Sequence, residues 1–157
     1  MENVGKAIYT ALRDDSEATN GIRALLGNTT TTPYNVFHAQ FPNEFDFSAS
    51  GGAKGLITYH FVSSSYDTEM GTAAVKTFQA VYNLTAYARA LSTVESVHRR
   101  IKLRLDRMRN ITVPTSQAWI HQIKLESEGP NLYDDAFQVW RRTAIYRAWC
   151  RDDNVNG

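Results

Sequence analysis

Three long stretches of the chain read in twos. In 73–86, Phe78, Ala80, Tyr82 and Leu84 alternate with Thr77, Gln79, Val81 and Asn83. In 55–65, Ile57, Tyr59 and Phe61 alternate with Leu56, Thr58, His60 and Val62. In 136–150, Phe137, Val139, Ile145 and Trp149 oppose Trp140, Ala144, Tyr146 and Ala148. A period of two belongs to strands, so the chain must be built around a sheet with long arms. Both sets of the last stretch are apolar. One face of the sheet then rests on helices, and the other exposes an apolar patch unless a loop, the N-terminal helices or a partner covers it. A partner is the expected cover.

Around these stretches the remaining elements fall into place. Val4, Ala7, Ile8, Ala11 and Leu12 recur at helical spacing. Asp14-Asp15-Ser16 breaks that helix and offers a new N-cap, and a second helix carries Ala18, Ile22, Leu25 and Leu26 on one side. Gly27-Asn28 ends it, because glycine accepts the left-handed conformation of a helix stop. Residues 34–41 read as a strand closed by Pro42. Ser92-Thr93-Val94-Glu95 has the form of a capping box, and Val94, Val97, Ile101, Leu105 and Met108 form a stripe on a helix that ends near Asn110. Residues 118–126 read as a strand with Trp119, His121, Ile123 and Leu125 on one face, and an acidic loop follows. The order is α-α-β-β-β-α-β-β. Polar turns between strands make the sheet of about five strands mostly antiparallel, with two N-terminal helices and one long helix on one face. This is an α+β fold in a single domain over residues 1–157, with a polar tail at 151–157 expected to fray.

Composition excludes several classes. At 43% hydrophobic and 21% charged, the chain is neither disordered nor a collagen-like repeat. Cys150 is the one cysteine, which rules out an intrachain disulfide and a cysteine-based metal cluster. The start, Met1 to Lys6, lacks an apolar signal core, no run is long enough to span a membrane, and the three Asn-x-Thr triplets read as coincidence. The net charge of +1 gives no overall electrostatic footprint for nucleic acid. That charge is unevenly placed, however. Residues 1–70 carry four basic and eight acidic side chains, whereas 71–157 carry thirteen basic and eight acidic. If the two parts occupy different surfaces, copies would meet head to tail; otherwise each face is simply solvated.

Two segments stand out as candidate contacts. Residues 99–109 hold six basic side chains and one acid. At helical spacing Arg100, Arg104 and Arg107 lie together, with Lys102 and Arg109 on a neighbouring stripe. This face is solvated, meets the acidic part of a neighbour, or meets DNA. The second segment is the loop 43–54, where Phe45 and Phe47 stand beside Glu44 and Asp46. It is either a docking loop for a partner or neighbour, or its rings fold back on the sheet. His38, His60, His98 and His121 lack metal-ligand spacing and read as core or boundary residues. Gln122-Ile123-Lys124 has no clustered carboxylates to hold a divalent ion, and Gly51-Gly52 follows no strand-to-helix pattern that would cradle phosphate. No enzyme, cofactor or metal is expected.

Several features together resemble the siphophage tail completion proteins, also called tail terminators or tail-to-head joining proteins. They are the short helix pair ending after Leu25-Leu26-Gly27, the Pro-containing strand and hairpin from Pro33 to Val62, and the run Phe78 to Leu91 from strand toward helix. Ile123-Lys124-Leu125-Glu126-Ser127-Glu128 with Leu132-Tyr133-Asp134 behind it, and the long closing strand, complete the likeness. The resemblance covers roughly Asn3 to Arg151; the helix after Ser92 is longer and more basic than the family's. It implies a homo-oligomeric ring, commonly a hexamer, that caps the tail tube and ends its polymerisation. It also implies contact with the tail tube protein and with a head-tail connector or stopper protein. DNA passes through the channel without sequence-specific binding, and there is no membrane contact and no catalysis. The implied location is the head-proximal end of the virion tail, after assembly in the host cytoplasm. Glu44, Phe45, Asp46, Phe47, Arg100, Arg104 and Arg107 are the candidate subunit or tube contacts, and Lys102 and Arg109 the candidate channel or neighbour contacts. The alternative is a nucleic-acid-binding α+β module using the basic helix 93–109.

Overall fold

The computed structural model describes residues 2–39, 41, 42, 45, 47, 54–67, 76–113 and 118–152. The elements are α1 (Glu2–Arg13), α2 (Ile22–Leu26), β1 (Val36–His38), β2 (Gly55–Asp67), β3 (Lys76–Ala88), α3 (Leu91–Asp106), β4 (Arg109–Val113), β5 (Ala118–Glu128), β6 (Leu132–Asp134) and β7 (Val139–Asp152). The fold is α+β, but among the described residues the sheet is mixed and has seven strands in the order β1-β2-β3-β7-β5-β4, with β6 also on β7.

The three period-two stretches form the middle of the sheet. β3 pairs antiparallel with β2 on one side and along its whole length with β7 on the other. Directly paired residues share a face. Ala80 lies opposite Ala148, Tyr82 opposite Tyr146 and Leu84 opposite Ala144, and all six are buried under the helices. The small alanines let the helices approach while Tyr146 and Tyr82 fill the gaps between them. α1 buries Val4, Ile8 and Leu12 on this layer, and α3 buries Val94, Val97, Ile101 and Leu105. Both helical stripes therefore lie where their spacing put them. Gly27 ends α2 at φ 72°, in the left-handed region that glycine accepts at little cost.

Four expectations need correcting. The strand at 34–41 shrinks to Val36–His38 and runs parallel to β2, because Tyr34, Asn35 and Ala39 all have positive φ and cannot continue an extended run. The helix begins two residues earlier than the capping box implies. Ala90 is the N-cap, and its carbonyl accepts the N–H groups of Thr93 and Val94, while Glu95 accepts a hydrogen bond from Asn131. Helix 92–110 stops at Asp106, and its end becomes β4, where Asn110 turns at φ 52°. In β5, the register shifts between Ile120 and Gln122, so that Ile120 and Ile123 share the buried face and His121 is exposed. One extra residue at a bulge flips every side chain beyond it, and strict alternation cannot see that.

The open face of the sheet is also different from the expected apolar patch. It carries Thr58, His60, Gln79, Asn83, Thr85, Gln122, Lys124, Thr143 and Arg147, with Val81, Ile145 and Trp149 interspersed among them. These are cross-linked: the Thr85 and Thr143 hydroxyls are 2.9 Å apart, and Arg147 donates to Gln79 at 2.9 Å and to Glu126 at 2.6 Å. Trp149 and Trp119 are topped by Lys124 and Arg151 at 5.9 and 4.4 Å from the ring centroids. At one end of this face Leu56 and Val139 are fully buried. There the chain's own rings gather. Phe41 meets Tyr87, Phe137 and Phe47 at 5.0, 4.5 and 6.1 Å, and Phe45 meets Phe47 and Phe37 at 4.7 and 6.0 Å.

Candidate subunit interface

The basic stretch of α3 divides into an inward and an outward set. Arg100 reaches the connection between α1 and α2, where its Nε and Nη2 donate to the two carboxylate oxygens of Asp15 at 2.6 and 2.7 Å. Asp15 is only 3% exposed and also accepts the Ile22 N–H at 3.0 Å, so it caps α2 from seven residues upstream. Arg104 donates to the Ala11 carbonyl from both Nε and Nη2. Burial alone would push the Asp15 carboxyl up. The Arg100 and Ile22 hydrogen bonds and the charges of Arg100 and Arg104 outweigh it and hold the group below its ordinary 3.8. Gly21 closes this turn, since a Cβ there would sit 2.4 Å from the Glu17 carbonyl oxygen. Two of the predicted contact residues, Arg100 and Arg104, are thus tied to other parts of their own chain.

Lys102, Arg107 and Arg109 point outward with Arg99, and Leu103 among them is 40% exposed. Arg109 meets Asp106 at 3.7 Å with both side chains largely exposed, an arrangement of little energetic weight. Phe45 and Phe47 are half-buried in the ring cluster, while Glu44 and Asp46 lie outside the described residues. The structure therefore does not gather the described members of the predicted set at one place: Phe45 and Phe47 sit in the ring cluster with Phe37 and Phe41, Arg109 begins β4, and Lys102 acts on His98 and Glu128.

A third polar cluster escaped the sequence reading. His98 Nε2 lies 2.6 Å from Glu128 Oε2, and Arg142 donates to the same oxygen at 3.0 Å and to the Gly129 carbonyl. Burial pushes the His98 pKa down from 6.5, with Arg142 and Lys102 acting in the same direction against the pull of Glu128. The His98 hydrogen bond, helped by the charges of Arg142 and Lys102, holds Glu128 below 4.5. A neutral imidazole donating Nε2–H to a carboxylate satisfies both shifts. As pH falls through 6.5 the unfolded chain gains a proton that folded His98 refuses, so stability is lost. The Glu128 contribution is present above 4.5 and disappears as pH falls through its lower folded value. The melting temperature should therefore fall from pH 7 to 5 and again below 4.5. In His98→Gln the first decline should vanish and the second remain, as read by thermal melts across a pH series.

Among the described residues no group of three His, Cys, Asp or Glu side chains could hold a metal ion. Cys150 is buried, which pushes its thiol up to about 12 and makes it a poor nucleophile. No described helix is long and apolar enough to cross a membrane.

Layered helices on one face of a mixed sheet with a polar open side define an α+β sandwich. No protein-family profile matches the chain, and no curated protein sequence matches it. Among solved structures, a chain from the virion of a native gene transfer agent particle superposes with a TM-score of 0.59 at 12% identity, over 92% of this chain and 91% of that one. At that identity the likeness is one of fold. A second solved chain aligns at a TM-score of 0.42 and 12% identity and supports no argument.

Proposed function

We propose that this chain is a virion structural protein of the tail-terminator kind, forming a ring, six-fold by the family resemblance, at the head-proximal end of a tail tube. The observation that carries the reading is the shared fold with the gene transfer agent virion chain, which spans more than nine-tenths of both chains. The ring would cap the tube, end its growth and offer its other side to the head connector, with DNA passing through the channel. Arg99, Lys102, Arg107 and Arg109 supply an exposed cationic surface for a neighbour. The same helix commits Arg100 and Arg104 to Asp15 and Ala11 of its own subunit, which favours contact between proteins over a nucleic-acid-binding helix. No catalytic step or cofactor belongs to this role.

Removing the gene from the particle that encodes it tests the proposal. The expected result is heads without tails and tubes of uncontrolled length in electron micrographs, restored by supplying the protein. Particles of normal length and normal joining in its absence would reject the reading.

A further inference from the structure

Six large hydrophobic side chains are well exposed among the described residues, and three of them sit in one hairpin: Leu132, Tyr133 and Phe137, each 49% exposed around the turn from β6 to β7. Asp134 and Asp135 lie between them. The Asp134 carboxylate accepts the Ala136 and Phe137 N–H groups, which fixes the turn. Arg141 and Arg142 stand behind this tip on β7, where Arg142 is held by Glu128 and the Gly129 carbonyl. The tip itself leads with apolar side chains and two acids. A fourth exposed hydrophobic, Leu103 at 40%, lines a groove of about 230 Å³ between α2 and α3, with Leu25 of α2 on the other wall. Arg99 and Arg107, both exposed, stand one turn before and one turn after Leu103. Arg100 lines the same groove, but its charge is met by Asp15 and Glu17. The groove is apolar within and cationic at its rim.

These two surfaces lie on different sides of α3. Glu95 and His98 face the hairpin side through Asn131 and Glu128, whereas Ser96, Arg100 and Leu103 face α2. No described hairpin residue lines the groove of its own chain. We propose that the β6–β7 hairpin of one copy of this chain docks in the α2–α3 groove of the next, with Tyr133 against Leu103 and the Asp134–Asp135 pair beside Arg99 and Arg107. The inference rests on the ring reading above and names the contact that would build it. A protruding element and a groove on different sides of one subunit join unlike surfaces, so the contact repeats from copy to copy and closes when the rotation allows. A two-fold contact between hairpins would instead set acid against acid. Burial of the Tyr133 ring supplies the anchor, and the opposed charges order the approach and make association weaken with salt.

Light scattering and native mass spectrometry, with and without tail tubes, read the assembly. The wild type should form rings. Leu103→Asp sets an acid in the groove against the acidic hairpin; Tyr133→Ser with Asp135→Arg removes the ring and reverses a charge. Each should weaken association at least about tenfold. Mixed together, these two variants keep one sound hairpin and one sound groove between them and should form a one-to-one pair and nothing larger. Arg99→Glu and Asp135→Arg should each weaken rings, and the chain carrying both should regain them, because each contact again joins opposite charges. Arg99→Glu, at an exposed site, also serves if Leu103→Asp does not fold by circular dichroism. Rings of wild-type strength from the folded groove and hairpin variants would overturn the docking while leaving the ring reading in place. So would weakened variants that neither pair when mixed nor recover on charge exchange. A wild type that stays monomeric even with tail tubes would overturn the ring reading, and the docking with it.

Discussion

Asp15→Ala should lower the unfolding free energy by about 3 kcal/mol, the range seen when one member of a buried ion pair is removed. The carboxylate is 3% exposed and holds three separate pieces in place: the Arg100 side chain of α3, the Ile22 N–H that opens α2, and the turn after α1. Alanine leaves a guanidinium that is 16% exposed without its main partner, and an unsatisfied amide at the start of α2. Glu17 lies 3.4 Å from Arg100 and softens the loss, so the effect stays short of the upper limit. Glu17→Ala is the control. Its side chain is 45% exposed, and the change should cost less than about 1 kcal/mol. Denaturant unfolding with a double-mutant cycle on Asp15 and Arg100 measures the coupling. A loss for Asp15→Ala no larger than for Glu17→Ala would show that the tie is ornamental.

Gly55→Ala should be the most damaging of the small substitutions in the sheet, at about 2 kcal/mol, with Gly55→Val costing more. A Cβ at this position would stand 2.5 Å from the Tyr87 carbonyl oxygen, 3.2 Å from the Ala88 Cβ and 3.4 Å from Leu26 Cδ2. The first neighbour is backbone and cannot swing aside. Ordinarily the exchange of glycine for alanine gains up to about 1 kcal/mol by narrowing the unfolded ensemble. Here the clash outweighs that gain, because relief requires moving the start of β2 away from β3 and α2. The Gly55 carbonyl also accepts a hydrogen bond from Asn35, whose other contacts fix the end of α2, so displacement spreads to β1. A thermal melt unchanged by Gly55→Ala would contradict this packing.

The legible parts of the fold are those with unbroken periods. β3 and β7 alternate without a bulge, and the stripes of α1 and α3 repeat at helical spacing, so burial could be read from residue type alone. Legibility ends where one residue breaks a period. His121 shifts β5 out of phase, and β4 looks like the tail of a helix because Ile111 continues the spacing of Met108. β1 and β6 are three residues each, too short for any pattern to emerge. The helical spacing did bring Arg100 and Arg104 together, but not their direction. Asp15 and Arg100 are 85 positions apart, and only the folded chain makes them neighbours. At one end of the open face Val139 and Leu56 point outward as their spacing suggests, and there the ring of Phe41 and its companions from the same chain covers them, a contact between distant segments that no period reveals.

The polar ladder across the broad side of the sheet has a consequence for supply. A subunit whose widest surface is hydrated and internally braced can accumulate at high concentration without clumping face to face.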